Sequence, residues 1–188
     1  MANWNLTELS ILDWIQNHMR CEFLDGFFSF VTHLGDAGIF WIALAVLLLL
    51  FKKTRKTGLM MGLSLLMGLL VCNLTLKPLV ARIRPYDINT AVTLLIEKPH
   101  DFSFPSGHTQ ASFGGAMVLL FRNKRLGIPA VCLAVLIAFS RMYLYVHYPT
   151  DVLTAAVLGT FFAFLSIRIV DALFRKFTKK TTAITELN

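Results

Sequence analysis

The sequence predicts an all-α protein, a polytopic helical bundle of about five to six membrane-spanning helices with an interfacial N-terminal helix. Composition is the first reason. Of 188 residues, 56% are hydrophobic and only 15% charged, and the mean hydropathy is +0.64. A soluble domain of this length would carry more charge, so lipid is the main solvent. Second, the apolar residues fall into nearly uncharged runs at 38–51, 58–76, 107–121, 126–139 and 152–170. A helix rises about 1.5 Å per residue and needs about 20 residues to cross about 30 Å of hydrocarbon, so the shorter runs must draw on polar flanks. Third, the Lys and Arg residues cluster in alternate loops: Lys52, Lys53, Arg55 and Lys56; Arg122, Lys124 and Arg125; Arg168, Arg175, Lys176, Lys179 and Lys180. The positive-inside rule assigns these loops to the cytoplasm, so the chain is a multi-pass protein of the inner (cytoplasmic) cell membrane with a cytoplasmic C-terminus.

In chain order, Leu6, Leu9, Leu12, Trp14, Ile15 and Met19 share one helical face, with Asn5 or Thr7 available as cap, which predicts a helix lying on the outer surface. Residues 24–34 are apolar but carry Asp25 and His33 and end in Gly35-Asp36-Ala37-Gly38, too short to cross and expected to pack obliquely. This region holds Glu8, Asp13, Glu22, Asp25 and Asp36 against Arg20 alone, the reverse of a secretory leader, so the spans themselves are expected to direct insertion. Glycines 58, 62 and 68 in the second run, and 114 and 115 in the third, suit close helix contact. The polar loop 87–103, between Pro85 and Pro105, is long enough to expect a function for it. Cys21, Cys72 and Cys132 are an odd number with two in apolar runs, which favours packing over disulfides. One domain is expected: interfacial 1–36, a helical core 37–177 and a frayed polar tail 178–188.

Three polar clusters interrupt this pattern. In the first, Lys77 precedes Arg84-Pro85 by seven residues, one helical face if the helix survives Pro78; taken alone, both cations would simply snorkel to an interface. The second, Pro105-Ser106-Gly107-His108, opens an apolar helix, with Ser106 as a cap and Gly107 letting a ligand approach free N–H groups that attract phosphate. The third runs from Ser140-Arg141 to His147 and Asp151, whose carboxylate is placed to accept the His147 ring N–H; a capped His–Asp pair is the plainer reading, but it leaves Arg141 unexplained. Alternating traversal brings Lys77, His108, Arg141 and Asp151 to one membrane face, opposite the basic loops and hence outside.

Together the clusters resemble the signature of the type 2 phosphatidic acid phosphatase (PAP2) superfamily, which also contains vanadium haloperoxidases; the resemblance covers residues 77–151. It implies that Lys77, Arg84 and Arg141 hold phosphoryl oxygens, the guanidinium groups as paired donors and the ammonium as a point charge. Ser106 and the Gly107 N–H would add neutral hydrogen bonds. His147 would attack phosphorus to form a phosphohistidine, Asp151 would orient it, and His108 would protonate the leaving oxygen and later activate water. No metal or other cofactor is expected, because three cations can stabilise the transition-state charge and His147–Asp151 reads as the only tight acid–imidazole pair on that face. His18, His33 and His100 read as polar surface, and Tyr143, Tyr145 and Tyr148 as interfacial aromatics. The expected substrate is a lipid phosphate or diphosphate reached from the surrounding membrane lipids, with no nucleic acid partner. On resemblance alone it is undecaprenyl diphosphate, with phosphatidic acid, phosphatidylglycerol phosphate and then lipid A as alternatives. A haloperoxidase, whose relatives are soluble, and a non-catalytic lipid binder are the rival classes; the apolar runs oppose the first and the presence of both histidines the second.

Overall fold

The computed structural model describes the backbone of residues 3–185 and the side chains of residues 6–176. Among the described residues there is no strand. The helices are α1 (Asn3–Met19), α2 (Glu22–His33), α3 (Ile39–Leu50), α4 (Arg55–Gly68), α5 (Lys77–Val80), α6 (Pro85–Ile88), α7 (Gly107–Arg122), α8 (Lys124–Tyr143) and α9 (Pro149–Thr185). Four stretches among them are long and apolar enough to cross a membrane: Glu22–Leu50, Arg55–Ile88, Lys124–Tyr143 and Pro149–Lys176. The run at 107–121 becomes α7, only 16 residues long. It is the central helix, packed chiefly on α8 and α9 and also on α4.

Close approach at the centre depends on missing side chains. A Cβ on Gly115 would lie 2.5 Å from the Trp41 ring, and Trp41 is fully buried with its indole N–H donating to Ser112 Oγ at 3.0 Å. On the outside, Ile42, Val46 and Leu50 of α3, Leu66 and Leu70 near the end of α4, and Leu153, Val157 and Phe161 of α9 are exposed. A surface this apolar suits contact with acyl chains rather than water.

Several local expectations change. Helix α1 starts at Asn3, so Asn5 and Thr7 lie inside it and neither is a cap. Its Leu9, Leu12 and Ile15 are buried in one cluster with Tyr143, Tyr145 and Tyr148, while Leu6, Ile11 and Trp14 remain exposed. The three tyrosines are therefore core residues, not interfacial aromatics. Helices α2 and α3 are joined by only a 3₁₀ turn, Asp36–Gly38, with left-handed Ala37 (φ 49°) and Gly38 (φ 68°). Residues 24–34 thus belong to the long apolar stretch Glu22–Leu50. At the other end α9 continues to Thr185, so most of the tail expected to fray is helical; residues 186–188 lie outside the described residues.

The largest departure is at the first cluster. Helix α4 passes through a π-helical segment, Leu69–Leu76, into α5, which stops where Ala81 turns left-handed at φ 47°. Lys77 and Arg84 therefore do not share a helical face. Arg84, restrained by the following proline, is extended at φ −76° and ψ 155° and returns to the site from outside the helix.

Candidate active site

A cavity of about 990 Å³ opens between α3, α4, α7 and the 96–101 segment of the long loop. That is the size of a ligand pocket. Its polar end is lined by Lys77, Arg84, Gly107, His108, Arg141 and His147, so the three polar clusters of the sequence converge there. Its other end is apolar, with Ile42, Ala45, Val46 and Leu49 of α3 facing Leu65, Leu66 and Leu69 of the α4 stretch. Each set recurs at helical spacing, so two stripes form the walls of one groove.

The cations are buried, each held by a short reach from an element end. Arg84 is 3% exposed; its Nη1 donates to the Val146 carbonyl at 2.7 Å and lies 3.2 Å from His147 Nε2, and its Nε donates to the Asp101 carbonyl at 2.7 Å. Arg141, in the last turn of α8, donates from Nη1 to Thr32 Oγ1 at 2.5 Å. After α8 the chain wraps back, with Tyr145 left-handed at φ 61° and the Val146 and His147 N–H groups donating to the Arg141 carbonyl at 3.1 and 3.2 Å. This wrap turns His147 inward, at 1% exposure.

With Arg84 donating towards Nε2, that nitrogen carries the lone pair and the ring proton sits on Nδ1, a tautomer inferred from its partners. Burial, reinforced by Arg84, Arg141 and Lys77, pushes the imidazole well below its ordinary pKa of 6.5. A neutral ring with a lone pair facing a cationic hollow is a nucleophile ready for an anionic electrophile.

Asp151 and Ser106 lie behind this wall. Asp151 Oδ2 is 3.5 Å from His147 Nδ1, beyond hydrogen-bonding distance, and Nδ1 has no hydrogen-bond partner among the described residues. The carboxylate instead accepts from Arg82 Nη1 (2.5 Å), the Tyr148 N–H (3.0 Å) and the Ser103 hydroxyl. Ser106 is the α7 cap: its oxygen accepts from the Thr109 N–H at 3.4 Å and hydroxyl at 3.0 Å. Its hydroxyl is buried and does not line the cavity, unlike Gly107.

Several residues that motif reasoning passed over complete the site. His108 Nε2 is 2.8 Å from Asp36 Oδ1, whose other oxygen is 2.7 Å from His33 Nδ1. This corrects the expectation of a single tight acid–imidazole pair, since His108–Asp36 is closer than His147–Asp151. In the sequence the stretch Thr32–Asp36 reads equally as part of a substrate mouth or, at Gly35, as a helix stop. A Cβ on Gly35 would in fact lie 2.7 Å from His108 Cδ2, so the glycine lets the ring in. Asp101, from the long loop, pairs with both Lys77 and Arg84. Burial alone would raise its carboxyl, but the two cations outweigh this and hold it at about 2. Arg82 stacks on Tyr148, with its guanidinium 3.8 Å from the ring centre, and pairs with Asp151 and with Glu8 of α1. Glu8 also accepts from the Thr150 N–H at 2.7 Å, capping α9, and Asp13 and Asp25 accept from the Tyr145 and Tyr143 hydroxyls at 2.6 Å each. The acids of the N-terminal region thus brace the segment that carries His147. Among the described residues no group of three His, Cys, Asp or Glu side chains could hold a metal ion.

Residues 57–175 match the family model described as the PAP2 superfamily. The chain is similar to an undecaprenyl-diphosphatase of Sulfolobus acidocaldarius, 35% identical over 81% of this chain and 74% of that protein. It is also similar to the undecaprenyl-diphosphatase BcrC of Bacillus subtilis, 33% identical over 85% of this chain and 89% of the relative. Among solved structures, the PAP2-type phosphatidylglycerolphosphate phosphatase of Bacillus subtilis superposes with a TM-score of 0.73 at 27% identity, covering 94% of this chain and 88% of its own.

Proposed function

The chain belongs to the PAP2 superfamily and is a lipid phosphatase, and from that premise we propose that it converts undecaprenyl diphosphate to undecaprenyl phosphate at the outer leaflet. The observation that carries the reading is one cavity in which three buried cations, Lys77, Arg84 and Arg141, meet the imidazoles of His108 and His147 at the end of an apolar groove. A phosphate-bearing headgroup suits the first part and an isoprenoid chain the second. The names of the two relatives favour the diphosphate over a monoester.

In this proposal Lys77, Arg84 and Arg141 take the oxygens of the terminal phosphate, with the Gly107 N–H beside them. The lone pair of His147 Nε2 attacks phosphorus in line with the bridging oxygen; the N–P bond forms as the P–O bond breaks, and His108 gives its proton to the departing lipid phosphate. Positive charge on the phosphorylated imidazole is offset by Asp151, 3.5 Å from Nδ1. His108 then takes a proton from water as the water oxygen attacks phosphorus, the N–P bond breaks and inorganic phosphate is left. The three cations stabilise the charge spread over the phosphoryl oxygens in both steps. Ser106 serves through the helix start it caps, and Asp36 steadies His108.

The outer-leaflet assignment is supported by the placement of the basic turns at 52–56 and 122–125, at the helix ends opposite the polar end of the cavity, where α5 begins at Lys77 and α7 at Gly107. The reading is tested by phosphate release from purified undecaprenyl diphosphate, phosphatidic acid, phosphatidylglycerol phosphate and lipid A side by side, with EDTA present. Undecaprenyl diphosphate should be hydrolysed fastest and EDTA should not slow it. Faster release from phosphatidylglycerol phosphate, the reading the structural neighbour favours, would replace the substrate; loss of activity in EDTA would replace the mechanism.

A further inference from the structure

Among the described residues, Asp101 is the carboxylate that pairs with two cations of the phosphate-binding cluster, and the proposed reaction gives it no task. Lys77 and Arg84 are 8% and 3% exposed, whereas the Asp101 side chain is 54% exposed. A half-exposed loop acid therefore bridges two buried cations. Its two oxygens divide between them, Oδ2 to Lys77 Nζ and Oδ1 to Arg84 Nη2. These are the donors that a phosphoryl group bound in the cavity would need, and two oxygens on one central atom is how a phosphoryl group would meet them. Both cannot be fully engaged at once.

Resting on the reading of this cavity as a phosphate site, we propose that Asp101 is an internal competitor for phosphate. Its carboxylate occupies Lys77 and Arg84 while the site is empty, yields them to the terminal phosphate of the lipid, and reclaims them as inorganic phosphate leaves. Two consequences follow from charge. Without an anion, Lys77, Arg84 and Arg141 would be like charges buried together, a costly arrangement that Asp101 relieves in the empty enzyme. With phosphate bound, the displaced carboxylate stays beside it as a like charge and opposes its retention, which favours turnover where product would otherwise accumulate on a tricationic site. While it is paired with Lys77 and Arg84 its carboxyl is held at about 2, so in the empty site it occupies them as a full anion. Its place on the loop lining the cavity lets the side chain turn away while the backbone stays: Tyr86 Oη donates to the Pro99 carbonyl (2.5 Å), the Ser103 N–H to the Arg82 carbonyl (2.8 Å) and Arg84 Nε to the Asp101 carbonyl (2.7 Å), and none of these bonds involves the Asp101 side chain.

The alternative is a purely structural salt bridge that holds the two cations in position. The two roles predict opposite signs. Inorganic phosphate is titrated against the detergent-purified full chain, read both as inhibition of lipid hydrolysis and as a rise in unfolding temperature, with Asp101→Asn compared to the unsubstituted protein. As a competitor, Asp101→Asn should bind phosphate about five- to tenfold tighter, about 1 to 1.4 kcal/mol, and KM for the lipid should fall while kcat does not rise. Equal or weaker phosphate binding in the variant would overturn the proposal. A second measurement needs no substitution: saturating phosphate should speed amide hydrogen exchange in residues 100–103 of the unsubstituted protein, and slowed or unchanged exchange there would overturn it equally. Failure of the underlying reading looks different, because then neither protein binds phosphate at all, and both ideas fall together.

Discussion

His147 and His108 are brought to the same hollow, but their partners differ, and so should the consequences of replacing them. Removing the proposed nucleophile by His147→Ala should cost at least about 10³-fold in kcat, and removing the proposed general acid by His108→Ala about 10²- to 10⁴-fold. Both variants should keep their elution volume and unfolding temperature in detergent; a near-normal rate in either would contradict its role as nucleophile or acid. Asp151→Asn should cost less than His147→Ala, since the imidazole remains and an amide oxygen in the place of Oδ2 still accepts from the Ser103 hydroxyl and the Tyr148 N–H, although the bond from Arg82 to Oδ1 is lost. The depressed basicity of His147 sets a pH sign. Its ring must be neutral to attack, and burial with Arg84, Arg141 and Lys77 around it keeps it neutral below the ordinary value of 6.5, so the acid limb of kcat/KM should lie below that value. Arg84→Gln removes a cation that lowers the pKa, so the limb should move to higher pH while the rate falls. A limb that stays put would mean another group controls it.

Among the elements, the short 3₁₀ turn between α2 and α3 and the helix α1 do more than the sequence suggests. Gly35→Ala would drive a methyl group to 2.7 Å from His108 Cδ2 and 2.9 Å from Ile137 Cγ2, whereas Gly26 has nothing within 4 Å of its ideal Cβ. Gly35→Ala should therefore lower kcat strongly at a stability cost of about 1–3 kcal/mol, with Gly26→Ala near neutral in both. Equal behaviour of the two variants would remove the turn from the site. Arg82→Leu strips the cation from two buried carboxylates, Glu8 and Asp151, and should destabilise by about 3–5 kcal/mol, read as a lowered unfolding temperature. What was legible at this scale follows from cost. Lys77, Arg84, Arg141 and the two histidines stand out because cations and imidazoles beside apolar runs are expensive unless they have work. Their acidic partners do not stand out. Glu8 lies 74 residues from Arg82 and Asp36 72 residues from His108, and no local spacing relates such pairs. The break at Ala81 is silent for a similar reason, because a left-handed alanine carries no glycine or asparagine to announce it.

For the whole molecule, the all-helical class and its lipid-facing surface could be read from hydropathy, since both depend on composition and period rather than on which residues meet. The long apolar stretch Glu22–Leu50 could not, because Gly35 to Gly38 resembles an end and is only a kink. Orientation is testable at this scale. Cys21 is exposed, next to α2 residues whose Asp25 accepts from Tyr143 at the cavity end of α8. In a Cys132→Ser background a membrane-impermeant maleimide should label Cys21 from outside intact cells; labelling only after lysis would reverse the topology. The central claim, that one hollow of three cations presents the His147 lone pair to a lipid phosphate, is met most directly by trapping the bound group. The protein is mixed with undecaprenyl diphosphate labelled in its terminal phosphate, quenched in alkali within a turnover and digested. Label stable to alkali and labile to acid should appear on the peptide carrying His147; full turnover with no label there would contradict the account.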